Sequence, residues 1–246
     1  MVVGQDLTPD WVKKIGTMLA EIFRQLYLGL KEPGKGLSLE QLQLFIEHRN
    51  PFAKVATKLV DAYEHIRRDW EKFYKDNFNL TVDFSGVRIP NYPGIGWRLL
   101  IIAQGQGITL EQVFRAFTFK TWKWTDRSLD DVVVENERDS KNGAYAIWVR
   151  DEREADEVHK NKSANQVKAE KLSTETPTER LVHEFKYFQE TGKHLDVDNI
   201  TLCSGSRCRG GNVPLVLWHR FDDELRVDWY LSGNATDRLR AREVVS

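Results

Sequence analysis

Apolar residues in the first eighty positions recur at intervals of three and four, which is the pattern of amphipathic helices. Thr8-Pro9-Asp10 predicts the start of a first helix, because a capping side chain is followed by a proline and an acid. Ser38 and Gln41 have the spacing of a capping box and predict a second, short helix. Asn50-Pro51 ends that helix and begins a third. Residues 1–80 are therefore expected to form a helical N-terminal region, either as a subdomain or as a surface for self-association.

From Leu80 onward the pattern changes to short apolar runs separated by turn residues and capping boxes. Further helices are predicted from the capping boxes at Thr109, Ser163 and Thr176, and another over the charged residues 152–160. Strands are predicted over residues 81–89, 97–103, 119–124, 145–149, 200–203, 213–218 and 225–231. The strand, helix and strand over residues 97–124 are compatible with a crossover unit. The chain is thus expected to be an α+β protein, with an antiparallel sheet and packed helices over residues 81–246 and a hairpin and an arginine-rich tail at its end.

The charge of the chain is balanced overall but unevenly distributed by residue type. The 246 residues carry a formal net charge of −1, so no general basicity points to nucleic acid. From residue 200 to the end, however, every cationic side chain is arginine and none is lysine. Arginine presents a planar fork of donors that matches phosphate and carboxylate groups. Five of these arginines are the main candidates for binding an anion, namely Arg207, Arg209, Arg238, Arg240 and Arg242.

Residues 204–211, Ser-Gly-Ser-Arg-Cys-Arg-Gly-Gly, lie next to these candidates and have two interpretations. Successive backbone N–H groups could form a nest around an anion, with Arg207 or Arg209 closing over it. Alternatively, the segment is a flexible connection between strands whose glycines supply positive φ angles. It lacks the Gly-Lys-Ser/Thr ending of a Walker loop and leads into a predicted strand, so binding at a helix N-terminus is not expected.

Aromatic and cationic residues alternate over residues 114–127. On a strand, Lys120, Trp122 and Trp124 would share one face. If exposed, they would offer a stacking platform for single-stranded nucleic acid. If buried, they would belong to an ordinary core strand whose lysines reach the rim.

No catalytic, metal or cofactor signature stands out in the sequence. Cys203 or Cys208 could act as a nucleophile with His183, His194 or His219, but only the fold can bring such a pair together. The histidines lack metal-binding spacings, and the acids at 151–157 would hold a cation only if two or three converged, so no metal is expected. Gly105-Gln106-Gly107 has Leu110 where a dinucleotide motif needs its third glycine, and no cofactor is expected.

The segments Asn142-Gly143-Ala144-Tyr145-Ala146-Ile147-Trp148-Val149-Arg150-Asp151 and Thr201-Leu202-Cys203-Ser204-Gly205-Ser206-Arg207 resemble a group of uncharacterised bacterial proteins. The resemblance implies a bacterial origin and carries no activity. Without a signal-peptide pattern at Met1 or a long apolar run, we expect a cytoplasmic protein with no membrane partner. The leading hypothesis is a non-enzymatic module that engages nucleic acid or another anionic ligand through its C-terminal arginines. An enzyme with a cysteine nucleophile, and a homo-oligomer assembled through residues 1–80, are the alternatives.

Overall fold

The computed structural model describes residues 9–31, 36–38, 41–43, 53–103, 108–138 and 143–246. The chain divides into two units, Met1–His65 and Ile66–Ser246. The sequence placed this boundary after residue 80. The division falls earlier because Trp70, Phe73 and Tyr74 are buried with the aromatic side chains of the second unit. Independent folding of residues 1–80 stays a prediction.

The described residues of the first unit are helical apart from residues 36–38. Helix α1 spans Pro9–Lys31, and helix α2, Ala53–Phe78, begins in this unit and continues into the second. The capping box at Ser38 is formed: Ser38 N donates to Gln41 Oε1 over 2.9 Å, and Gln41 N donates to Ser38 Oγ over 3.1 Å. The predicted signals at Thr8 and Asn50-Pro51 lie outside the described residues. Leu19, Phe23 and Tyr27 are exposed at four-residue spacing along α1, and self-association through this region stays a prediction.

The second unit contains ten strands and four short or medium helices after α2, among its described residues. The strands are β1 Trp97–Ile102, β2 Thr121–Lys123, β3 Val133–Asn136, β4 Tyr145–Arg150, β5 Ile200–Leu202, β6 Ser206–Cys208, β7 Val213–His219, β8 Glu224–Tyr230, β9 Leu239–Arg240 and β10 Val244–Val245. The helices are α3 Leu110–Ala116, α4 Leu129–Val132, α5 Ala164–Ala169 and α6 Pro177–Thr191.

Three sheets result, in the orders β1-β4-β10, β2-β8-β7-β5-β9 and β3-β6. The β2–β8 and β5–β9 pairs are parallel and the other pairs are antiparallel. The predicted α+β class with a mainly antiparallel sheet is confirmed, as is the hairpin β7–β8. No described helix has the length and apolar character that crossing a membrane requires.

Four local predictions were wrong. Strands β1 and β2 lie in different sheets, so they do not form a crossover unit. Residues 81–89 form no strand, because Phe84 N donates to the Glu71 carboxylate and Val87 N closes a turn on Phe84 O. The charged run 152–160 contains only the 3₁₀ turn Glu157–His159, because its backbone bonds to other segments. Strand β6 lies in the segment expected to be a flexible connection.

Helix α6 sits at the centre of the unit, and its local signals are complete. Thr176 Oγ1 accepts from Glu179 N, Glu179 Oε2 accepts from Thr176 N over 2.7 Å, and Pro177 is the first helical residue. Gly192 ends the helix with φ 68°, a left-handed conformation that glycine adopts easily. The helix packs on an aromatic cluster through Phe185 and lies near an apolar core formed by β5, β7 and Leu239.

Candidate functional site

The most unusual feature of the second unit is a set of ionisable side chains that are almost completely buried around α6. Burying a charge is unfavourable unless it is paired and hydrogen-bonded, so each of these residues needs an internal partner. The buried ionic network, as we call this set, consists of Glu175, Glu179, Arg180, His183, Glu184, Asp196 and Arg242.

Asp196 joins two arginines within this network. Arg180 Nε donates to Asp196 Oδ2 over 2.8 Å, and Arg242 Nη2 donates to Asp196 Oδ1 over 2.7 Å. Thr201 Oγ1 also donates to the carboxylate, and Arg242 further binds the carbonyl oxygens of residues 152 and 153. Burial alone would raise the pKa of Asp196, but the two guanidinium groups outweigh it and hold the pKa well below its ordinary value of 3.8. The site therefore keeps an ionised carboxylate in the core.

Glu175 and His183 form a second pair, with 2.9 Å between Oε1 and Nδ1. Burial raises the pKa of the Glu175 carboxyl to about 8, and burial also lowers the pKa of His183 well below its ordinary value of 6.5. Both directions favour a neutral pair, with a protonated carboxyl beside a neutral imidazole. Glu175 Oε2 and His183 Nε2 are buried without a hydrogen-bond partner among the described residues.

Arg138 connects the network to the surface. Its guanidinium donates to both carboxylate oxygens of Glu179, over 2.7 and 2.8 Å, and also to Ser173 Oγ and Thr174 O. Tyr145 OH donates to Glu179 Oε1 over 2.7 Å. Glu179 thus caps α6 and fixes Arg138 at the same time. The segment after β3, which carries Arg138, is thereby held against the start of α6.

A cavity of about 440 Å³ opens beside this segment. Strands β3 and β6 and the end of α5 supply its walls. The polar residues that line it are Glu135, Asn136, Glu137, Lys168, Lys171, Ser204, Ser206 and Arg207. Its volume is that of a small-molecule site.

Three cations line this cavity with donors to spare. Arg207 uses Nη1 on the carbonyl oxygens of Ser204 and Ser206, over 2.8 and 2.7 Å, and its Nε and Nη2 have no partner among the described residues. The side chains of Lys168 and Lys171 likewise have no hydrogen-bond or ion-pair partner in the described part of the chain. An anionic group in the cavity would meet these three donors.

Gly205 brings the cavity wall close to the buried ionic network. A Cβ atom at this position would lie 2.7 Å from Thr174 O and 3.2 Å from Glu137 Oε2, so only glycine fits without a shift of the backbone. Glu137 N donates to Gly205 O over 2.6 Å. The glycine therefore serves a close approach between segments, while positive φ angles occur at Gly210 and Gly211.

The backbone nest, one of the two interpretations of residues 204–211, is not formed. The N–H groups of Ser204, Ser206, Cys208, Arg209 and Gly211 all donate to carbonyl oxygens of the protein. Because these donors are already used, a ligand at this loop would be held by side chains.

The five candidate arginines do not converge. Arg207 lines the cavity, and Arg242 is buried in the ionic network. Arg209 is exposed and donates weakly to Asp131 O over 3.4 Å, and Arg238 is exposed and donates to Asp198 O over 3.1 Å. Arg240 donates to Ala155 O over 3.1 Å and pairs with Glu157. Of these five, Arg207 alone lines the cavity.

The candidate stacking platform, which consists of Lys120, Trp122 and Trp124, has acidic residues nearby. Lys120 pairs with Glu224 over 2.9 Å. Trp122 is 40% exposed, with the Arg226 guanidinium 5.4 Å from its ring centre, and Trp124 is half-buried. Arg226 itself pairs with Glu224, so the local cations are already partly neutralised.

Both cysteines are buried free thiols. Burial raises the pKa of Cys203 well above its ordinary value of 9.0, and burial raises the pKa of Cys208 to about 11. A cysteine nucleophile requires a lowered pKa. The geometry therefore works against the enzyme hypothesis that rests on these thiols.

Among the described residues, one group has the arrangement of metal ligands: Asp156, His159 and Glu243. The sequence had led us to expect no metal, because the acids at 151–157 would have to converge. Of those acids, Asp156 is the member of this group, and its neighbours come from outside the run. Residues 105–107, the Gly-Gln-Gly segment compared with a dinucleotide-binding motif, lie outside the described residues.

Comparison with known proteins gave no relative: no family model, curated protein or solved structure matches this chain.

Proposed function

We propose that the second unit is a binding module for a small anionic ligand that carries a phosphate or carboxylate group. The observation that supports this proposal is the cavity in which Lys168, Lys171 and Arg207 present donors that no other described residue uses. Arginine would hold such a group through its fork, and the lysines would add charge from the opposite wall.

The balance of charge in the cavity favours an anion. Three cations face two acids, Glu135 and Glu137. Glu137 accepts from Ser173 Oγ over 2.9 Å and lies 3.7 Å from the Arg138 guanidinium, which also pairs with Glu179, so the charge of Glu137 is partly compensated. A ligand would therefore meet more positive than negative charge in the cavity.

Hydrogen bonds join the backbone segments that form one side of the cavity. Ser206 Oγ donates to Asn136 Oδ1 over 2.6 Å and joins β6 to β3. Arg138 fastens the adjoining segment to the buried ionic network, and Gly205 allows the close packing of the two. Prior ordering of this kind reduces the entropy that binding would otherwise lose.

Binding without chemistry fits the lining residues better than catalysis does. The described lining of the cavity includes serine hydroxyls, but it has no cysteine nucleophile and no histidine to act as a general base beside a serine. The size of the cavity suits one small molecule, whereas a nucleic acid would need an extended surface of free cations. The candidate arginines outside the cavity are spread over separate contacts.

The test is calorimetric titration of the full chain with inorganic phosphate, pyrophosphate, citrate and a nucleoside monophosphate. The variant Arg207→Ala is compared with Arg209→Ala, which removes an exposed arginine two residues away. A hydrogen bond to a charged group contributes about 1.5–3 kcal/mol, so Arg207→Ala should weaken binding roughly 10- to 100-fold. Arg209→Ala should leave the affinity unchanged.

Three results would overturn the proposal. One is the failure of every anion in the panel to bind the wild-type chain at low salt. Another is an equal effect of Arg207→Ala and Arg209→Ala on binding, which would mean that the cavity is not the site. The third is tighter binding of single-stranded or duplex oligonucleotides than of the small anions under the same conditions, which would contradict the small-ligand assignment.

A further inference from the structure

Asp156, His159 and Glu243 come together from two distant parts of the chain. Asp156 precedes the 3₁₀ turn Glu157–His159, so the carboxylate and the imidazole are three residues apart on one turn. Glu243 lies just before β10. Each of the three residues offers one ligand atom, and these atoms lie within 4.8 Å of one another. None of the three lines the cavity of the proposed anion site.

Three polar atoms of this group are buried without a hydrogen-bond partner among the described residues. Asp156 is 3% exposed and His159 is 6% exposed. Both ring nitrogens of His159, and Asp156 Oδ1, have no hydrogen-bond partner among the described residues. Glu243 Oε2 is 3.6 Å from His159 Nε2, which is too far for a hydrogen bond. Leaving a buried polar atom unpaired costs about 1–3 kcal/mol, so such atoms ordinarily have an ion or a water as partner.

Hydrogen bonds fix the backbone of the two segments and one oxygen of the Asp156 carboxylate. Glu243 N donates to Asp156 Oδ2 over 2.7 Å, which leaves Oδ1 of the same carboxylate available. Asp156 N donates to Ala241 O, and His159 N donates to Asp156 O over 3.0 Å. Hydrogen bonds of this type orient ligands in known metal sites. The two segments are thus already fixed relative to each other.

We propose that Asp156, His159 and Glu243 bind a divalent transition-metal ion, for which Zn²⁺ is the best fit. An imidazole nitrogen with two carboxylates is a donor set that Zn²⁺ accepts, whereas Mg²⁺ and Ca²⁺ prefer oxygen ligands throughout. Three protein ligands leave a fourth position of a tetrahedral ion for water or a ligand. The ion would also join the 156–159 turn to the last strand of the chain.

The experiment is a titration of the full chain, freed of metal with a chelator, with Zn²⁺ and separately with Mg²⁺. Glu243→Gln removes one ligand from a side chain that is 34% exposed, so this variant should fold. Glu157→Gln is the matched control, because Glu157 is exposed and lies on the same turn without belonging to the group. We expect one Zn²⁺ per chain for the wild type and for Glu157→Gln. The affinity for Zn²⁺ should be weakened on the order of 100-fold in Glu243→Gln, because even the loss of a residue that only orients a ligand weakens metal affinity about 10- to 100-fold. Mg²⁺ should bind more weakly than Zn²⁺ to all three.

Co²⁺ provides a measurement on the wild-type chain that does not depend on any variant. Co²⁺ in the site should show visible absorption of a four-coordinate ion and one paramagnetically shifted imidazole signal in the proton NMR spectrum. Absence of Zn²⁺ binding to the wild type, equal Zn²⁺ affinity in Glu243→Gln and wild type, or a Co²⁺ complex without an imidazole signal would each overturn the proposal. Because the anion titrations use a different cavity and different variants, failure here leaves the proposed function standing.

Discussion

Replacing Asp196 with asparagine tests whether the buried ionic network holds the second unit together. Asp196 has φ 53°, a left-handed conformation that asparagine also tolerates, so the backbone should not be strained by the change. The side chain keeps its size but loses its negative charge. Its amide can accept from only one of the two guanidinium groups, and its NH₂ group would face the other.

The expected loss follows from the burial of the partners. Arg180 and Arg242 are almost fully buried and would keep their charges without a shared carboxylate, although Glu184 still binds Arg180. Removing one partner from a buried ion pair costs about 3–5 kcal/mol. For a unit of this size, 1 kcal/mol corresponds to roughly 2–4 °C in Tm. Asp196→Asn should therefore lower Tm by about 6–20 °C.

Urea unfolding followed by circular dichroism gives the free energy of unfolding. The control is Asp198→Asn, the same chemical change two residues away. The Asp198 side chain is 65% exposed and pairs with the exposed Arg220, so this change should cost no more than about 1 kcal/mol. If the two variants unfold at the same urea concentration, the buried pairs do not stabilise the fold and the reasoning from burial is wrong.

Two further predictions concern the protonation of buried groups. With the Glu175 pKa raised to about 8 and that of His183 lowered, the folded pair keeps one proton where the unfolded chain, above pH 6.5, keeps none. The stability that this pair contributes is therefore present below pH 6.5 and is lost as the pH rises towards 8, a loss on the order of 1–2 kcal/mol. The free energies of unfolding of wild type and Glu175→Gln, measured across that pH range, should differ in slope. Parallel curves would contradict the assignment of the proton to Glu175. Because burial raises the pKa of both thiols, Cys203 and Cys208 should resist iodoacetamide at pH 8 in the native chain and react after unfolding. Mass spectrometry measures the extent of modification. Rapid modification of the native chain would support the hypothesis of an enzyme with a cysteine nucleophile.

Local signals in the sequence predicted much of the fold. The capping boxes at Ser38, Thr109, Ser163 and Thr176 are all formed, because their hydrogen bonds depend on residues three positions apart. The hairpin β7–β8 was likewise predicted from two adjacent apolar runs. The missed elements depended on distant segments. Strand β6 forms because it pairs with β3, about 70 residues earlier, and no pattern within residues 206–208 predicts that pairing.

The site was harder to predict than the fold. Lys168 and Lys171 were not selected, because their sequence surroundings are those of an ordinary charged surface. The group formed by Asp156, His159 and Glu243 was not predicted, because Glu243 lies about 90 residues after Asp156 in the sequence. A usable signal did exist at Thr176, because the capping box predicts a helix that carries Arg180 among apolar residues. If such a helix is buried, its charged side chains need internal partners.

The arginines of the last fifth of the chain show why residue type alone does not identify a binding site. A guanidinium group that suits a phosphate also suits a buried carboxylate, and Arg242 donates to Asp196 through Nη2. Arg240 similarly meets Glu157. Arg207 differs because Glu135, its neighbour in register on β3, does not reach its guanidinium within ion-pair distance, and carbonyl oxygens occupy only one of its nitrogens. Arg209 and Arg238 likewise bind only carbonyl oxygens among the described residues, but neither lines the cavity. Arg207 is therefore the candidate arginine that combines free donors with a place in the cavity, and Arg207→Ala is the substitution that tests binding there.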